Sequence, residues 1–91
     1  MEFEWDTAKA ASNLRKHGVS FREAATVFGD YFAMTVSDPD HSLEERRFIT
    51  VGHSTNGRAL LVAHTDRGHR VRIISARGLT LRERIEYENT R

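Results

Sequence analysis

Apolar and polar positions alternate along this chain in two distinct periods. Near the start, Asp6 precedes Ala8, Ala10, Ala11 and Leu14, and Gly18 closes the run, which is the pattern of an N-capped helix with a glycine stop. Ser20-Phe21-Arg22-Glu23 reads as a capping box, with Val19 and Ala24 placed as its hydrophobic staple. The helix it opens carries Ala24, Ala25, Val27 and Phe28 and stops at Gly29. Thr80-Leu81-Arg82-Glu83 is a second box and opens a C-terminal helix to about Glu88. Between these helices the period falls to two. Strands are expected over Tyr31–Val36, Arg46–His53, Arg58–Thr65 and His69–Ala76. Turns fall at Asp38-Pro39-Asp40, at Asn56-Gly57 and at Asp66-Arg67-Gly68. The order helix, helix, four strands, helix predicts an α+β fold, in which a four-stranded antiparallel meander has helices on one face and leaves the other open. Residues 1–91 read as one domain, without repeats or linkers.

Alternation also sorts the last strand. Arg70, Arg72 and Ile74 fall on one side, and Val71, Ile73 and Ser75 on the other. The Val/Ile side belongs against the helices, so Arg70 and Arg72 are expected on the open face, with Arg77 just past the strand. On the preceding strand His64 shares a side with Leu60 and Val62, and alternation alone leaves open which side faces outward.

Composition changes this picture mainly through charge. The net charge is only +1 and by itself predicts no nucleic-acid partner. Residues 1–45 balance to −5, however, and residues 46–91 to +6. All ten basic residues of the second half are arginine, and six lie between Arg67 and Arg84 against one acid, Glu83. Arginine presents a planar fork suited to phosphate and stays charged when partly buried. An arginine face made of Arg58, Arg67, Arg70, Arg72 and Arg77 is therefore a candidate phosphate-binding surface. The competing reading is a solvated face whose arginines pair with Glu83, Glu86 and Asp66. Cysteine is absent, which removes disulfides and thiol nucleophiles and suits a reducing compartment. The acidic segment Met1-Glu2-Phe3-Glu4-Trp5 lacks the form of a signal peptide, and no apolar run is long enough to span a bilayer, so the cytoplasm is the expected location.

Other chemistry is poorly supported. The five histidines, His17, His41, His53, His64 and His69, show no zinc spacing, so no cofactor is expected. Ser54 and Ser75 lack the flanking glycines of a nucleophile elbow, and no glycine-rich phosphate loop occurs. Trp5 serves either as a base-stacking platform or as a lid over the first helix.

Several strings are nevertheless familiar. Phe3-Glu4-Trp5-Asp6 with Lys9 and Asn13, Lys16-His17-Gly18-Val19-Ser20-Phe21, Glu23-Ala24 and Val27-Phe28 resemble the N-terminal half of the BrnT toxin family. Asp40-His41-Ser42, Glu45-Arg46, Gly57-Arg58, Arg72-Ile73-Ile74-Ser75-Ala76-Arg77, Glu83-Arg84 and Tyr87 resemble its second half. The resemblance implies a RelE-like fold and a ribonuclease toxin of a type II toxin–antitoxin module that cleaves RNA to arrest translation. It also implies neutralisation by a BrnA-like ribbon-helix-helix antitoxin in a two-plus-two complex that reaches operator DNA only through the antitoxin. No membrane partner is implied.

RNA can be cleaved without a metal by its own 2′-hydroxyl, given a base, positive charge at the phosphate and an acid at the leaving oxygen. Arg72 and Arg77 are assigned to the phosphate, with Arg58, Arg67 and Arg70 as auxiliary charges. His64 and Glu83 are the acid/base candidates, and Tyr87 either binds a base or packs on the sheet. An acidic or amphipathic antitoxin helix laid over Arg70 and Arg72 would block that face. The alternative function is a non-catalytic RNA- or partner-binding module using the same arginines.

Overall fold

The computed structural model describes residues 1–38, 40 and 45–90. Asp6 caps helix α1 (Thr7–His17) by accepting the Lys9 amide at 3.0 Å, and Gly18 ends it in the left-handed conformation at φ 67°. Ser20 caps α2 (Phe21–Thr26), which tightens into a 3₁₀ turn over Val27–Gly29. Helix α3 (Leu81–Thr90) follows the Thr80 box.

Five strands form one mixed sheet in the order β1-β5-β4-β3-β2. They are β1 (Glu2–Glu4), β2 (Met34–Ser37), β3 (Arg47–His53), β4 (Ala59–Arg67) and β5 (Arg70–Gly78). The antiparallel meander expected from the sequence is present as β2 to β5, and β1 adds a parallel edge strand paired to β5. The sheet therefore has five strands rather than four and is not purely antiparallel. The alternation Glu2-Phe3-Glu4-Trp5 was the available signal for β1: Phe3 turns to the core beside Val71, while Glu4 lies opposite Arg72.

Other boundaries also move. Tyr31 to Ala33 is a turn rather than strand, and Tyr31 is 90% exposed. The hairpin expected at Asp66-Arg67-Gly68 turns at Gly68-His69, where Gly68 takes φ 65°. Part of the expected Asp38-Pro39-Asp40 turn lies outside the described residues.

The core lies between α1, α2, the 3₁₀ turn and one face of the sheet. Val19, Phe21, Ala24 and Val27 from the helical side meet Leu60, Val62, Ile73 and Ala76. Trp5 is the lid, its ring edge-on to Phe21 at 6.1 Å. In α1 the buried residue is not the apolar Leu14, which is 52% exposed, but Asn13. The Asn13 amide group donates to the Val19 and Ala76 carbonyls at 2.9 and 2.8 Å, and its oxygen accepts the Ala76 amide at 3.1 Å. One side chain thus bolts α1 to β5 and satisfies backbone groups that burial would otherwise leave unpaired.

Between β4 and β5 the register slips once. Ala63 pairs with Ser75 and His64 with Ile73, which leaves Ile74 without an opposite residue. This bulge reverses the alternation of β5. Val71, Ile73 and Ala76 share the helix-covered face, and Arg72, Ser75 and Arg77 share the other.

Helix α3 sits on that other face, contrary to the expectation that all helices gather on one side. Its Glu83, Glu86 and Tyr87 border a groove with Met34, Val36, Val51 and Leu61, all residues of the face away from α1 and α2. Its one buried residue is Tyr87, whose hydroxyl donates to the Phe32 carbonyl at 3.2 Å.

Candidate RNA-binding face and its relatives

The bulge at Ile74 gives the strongest candidate surface. Arg72 and Arg77 are an odd number of residues apart, so unbroken alternation would send them to opposite faces. The slip brings both to the face away from α1 and α2, separated by about 15 Å at the usual strand rise. Arg70 lies on the same side as Arg72 at the far end of the strand.

Each of these cations is held by a carboxylate. Glu4 on β1 accepts from Arg72 Nη1 at 2.8 Å and lies 3.8 Å from Arg70 Nη1. Arg77 donates from both terminal nitrogens to Glu83, at 2.8 and 2.9 Å. Arg67 binds Glu45 through Nε at 2.6 Å. The pairing reading of the arginine face therefore holds as geometry, although of the partners expected only Glu83 pairs on this face, Glu86 lying 3.8 Å from Arg82 along α3. Glu4 and Glu45 take the places of Glu86 and Asp66. A guanidinium carries five donors, and Arg72 spends Nη1 on Glu4, so its fork still has donors for a phosphate.

Arg58 is not on this face. It donates to both oxygens of Glu23 and to the Gly18 carbonyl, clamping the β3–β4 hairpin to the α1–α2 junction. Glu23, only 9% exposed, also accepts from the Ser54 hydroxyl at 2.7 Å. The Arg58 bonds hold the Glu23 carboxyl well below the usual range, at a pKa of about 2.

The two acid/base candidates fare differently from expectation. His64 does not join the arginines. It is 4% exposed on the covered face, packed edge-on to Phe28 at 4.9 Å and stacked on Phe48 at 5.8 Å. Its Nε2 and the Thr50 hydroxyl share a 2.7 Å hydrogen bond, and Nδ1 has no partner among the described residues. Burial pushes its pKa down, against an opposing pull from Asp66, so the neutral ring is favoured. Glu83 does lie on the arginine face. There the Arg77 bonds and the Thr80 amide hold its pKa at about 2, so it is ionised at neutral pH and acts as a tether for Arg77. Tyr87 packs on the sheet, with its ring 5.8 Å from His53. Among the described residues no group of three or more His, Cys, Asp or Glu side chains is placed to hold a metal ion.

A sequence model of the family described as "Ribonuclease toxin, BrnT, of type II toxin-antitoxin system" matches residues 5–83. The chain belongs to the BrnT toxin family. The match spans the helix-covered core, the Arg72–Arg77 stretch of β5 and the start of α3. The fold agrees with that of a BrnT protein: the 1.1 Å crystal structure of the Brucella abortus ribonuclease toxin BrnT superposes with a TM-score of 0.68. That superposition covers 88% of this chain and 97% of the Brucella toxin at 20% sequence identity. No curated protein sequence matches this chain. As a type II family member, the protein has an antitoxin as its expected class of partner. No helix is long and apolar enough to cross a membrane among the described residues.

Proposed function

We propose that this protein cleaves RNA by a metal-independent route in the cytoplasm, arrests translation, and is neutralised by a BrnA-like ribbon-helix-helix antitoxin in a two-plus-two complex. The family match over residues 5–83 carries this reading. The geometry supports it by placing Arg72 and Arg77 on one partly open face, where phosphates of a single strand can replace the carboxylates that now hold them. Arg70 and Arg67 extend the positive charge toward the β4–β5 hairpin. An antitoxin segment that covers Arg70 and Arg72 competes for the same surface, and operator DNA is then reached through the antitoxin.

Purified protein incubated with RNA in EDTA tests the reading. Cleavage that persists in EDTA is expected, and R72A and R77A should each lower it at least tenfold while their circular dichroism is unchanged. Intact RNA after incubation with wild-type protein would sink the ribonuclease reading. Undiminished cleavage by both variants would remove the phosphate assignment. Growth arrest on expression should be relieved by co-expressing a neighbouring ribbon-helix-helix frame.

A second reading, binding without catalysis, draws on one observation. On the arginine face every acid within reach among the described residues is already committed to an arginine, and His64 is sealed on the opposite side. Salt-dependent binding with no cleavage is its signature.

A further inference from the structure

The face that gathers the arginines holds no free acid/base group among the described residues, but another part of the molecule does. Where α1 ends, β3 passes to β4 and β5 leads into α3, there is a cavity of about 320 Å³. His17, His53, Arg58, Arg84 and Glu88 border it. Gly78 and Leu79 form part of its wall, so the cavity begins one residue beyond Arg77. The other described imidazoles are elsewhere: His64 is buried in the core, and His69 lies 3.6 Å from Glu2 at the far end of the sheet.

The groups around the two histidines have distinct duties. Arg58 is locked by Glu23 and the Gly18 carbonyl, which fixes that part of the cavity wall. Asp30 Oδ2 lies 3.7 Å from His53 Nδ1 and accepts the His53 amide at 2.8 Å, so a carboxylate flanks one edge of that ring. The Tyr87 ring lies against His53 from α3. Arg84 and Glu88 stand one turn apart on α3, at the rim, and no salt bridge joins them. Two imidazoles and an arginine around a cavity of this size form a donor set for a phosphodiester, and imidazole is the side chain best suited to move protons near neutral pH.

We propose that this cavity is the catalytic pocket for RNA, with His17 and His53 as its proton-transfer pair and Arg84 at the phosphate. The inference rests on the ribonuclease reading and adds the chemistry that the arginine face lacks. One neutral imidazole takes the proton of the ribose 2′-hydroxyl as that oxygen attacks phosphorus. The bond from phosphorus to the 5′-oxygen breaks, and the other imidazole, protonated, gives its proton to that leaving oxygen. Arg84 opposes the negative charge that grows on the phosphoryl oxygens. The products are a 2′,3′-cyclic phosphate and a 5′-hydroxyl, and the two imidazoles exchange protonation states. Arg72 and Arg77 then guide the strand along β5 toward the pocket.

The test uses the full chain with a short single-stranded RNA whose ends are resolved by mass. H17Q and H53Q should each reduce kcat by at least 100-fold with KM within about threefold of wild type, in keeping with general acid–base effects. R84Q should raise KM as well as lower kcat. His17 lies exposed at a helix end, so H17Q decides the matter even where H53Q disturbs its contact with Tyr87. Wild-type cleavage with both histidine variants equally active would overturn the pocket and leave the ribonuclease reading intact. Products bearing a 5′-phosphate would overturn it too. Wild-type protein that cleaves no RNA would remove both proposals together.

Discussion

Two helices of this protein open on the same four-residue grammar, Ser20-x-x-Glu23 and Thr80-x-x-Glu83, and the two boxes behave differently. In the second, the exchange is complete: Glu83 accepts the Thr80 amide at 2.9 Å and Thr80 accepts the Glu83 amide at 3.2 Å. In the first, Ser20 accepts the Glu23 amide at 3.0 Å, but the Glu23 carboxylate turns instead to Arg58 and Ser54, more than thirty residues away in sequence. Both glutamates hold an arginine through two nitrogens, and both have a pKa of about 2. The difference is location. Glu23 sits at the seam of the covered face, where its side chain is only 9% exposed and a lost bond is costly. Glu83 stands on the face that α3 only partly covers, 33% exposed. A capping box thus tells where a helix starts but not where its carboxylate is spent.

The contrast can be pressed hardest at the covered face itself. Ile73→Ala empties a site of 1% exposure and should cost about 3 kcal/mol in urea unfolding, with cleavage per folded molecule preserved. Next, Glu23→Gln removes the largely covered carboxylate of a pair whose Arg58 partner is half-exposed, and should cost about 2 kcal/mol. A loss no larger than that of the exposed box would break the comparison. Glu83→Gln should cost only about 1 kcal/mol, and its effect should stay local, as faster amide exchange confined to α3. The last contrast is in acid. A carboxyl whose folded pKa lies below its unfolded value near 4.5 adds stability above pH 4.5, and that stability is lost as the pH falls toward 2. The melting temperature of wild type should therefore fall between about pH 5 and pH 2, and Glu23→Gln should flatten that slope more than Glu83→Gln does.

Local chemistry made much of this legible from the sequence alone. Helix starts, the Asn56-Gly57 hairpin and the inward turn of Val71 and Ile73 follow from nearest neighbours and period, and the structure reproduces them. What escaped was whatever depends on a partner far along the chain. Parallel pairing of Glu2–Glu4 with β5 joins residues nearly seventy positions apart, and nothing next to Phe3 announces it. The side on which His64 lies is set by packing against Phe28 and Phe48. Arg58 sits in the basic half of the sequence, yet its partner Glu23 lies 35 positions upstream, so a charge map assigned it to the wrong surface. His53 was visible only in a histidine count, and His17 there and in a family string, because their common cavity exists only once α1, β3 and α3 are assembled.

The unpaired Ile74 has a consequence for how this chain can tolerate length changes. Loops absorb an inserted or deleted residue at small cost, since their ends barely move. Here deletion of Ile74 itself would preserve every face, since Ser75 would then follow Ile73 in plain alternation, whereas a slip that paired Ile74 with Ala63 would keep the hydrogen-bonded ladder and yet invert everything beyond it. Ala76 would be presented to solvent, and Ser75 and Arg77 would be driven into the apolar layer beside Val62. The one extra residue works as a phase shifter: it lets one strand anchor the core with its first half and its second half while keeping two cations on a single side. The spacing of Arg72 and Arg77 is therefore a property of the backbone's phase, and a substitution that kept both arginines but erased the bulge would lose the surface they form.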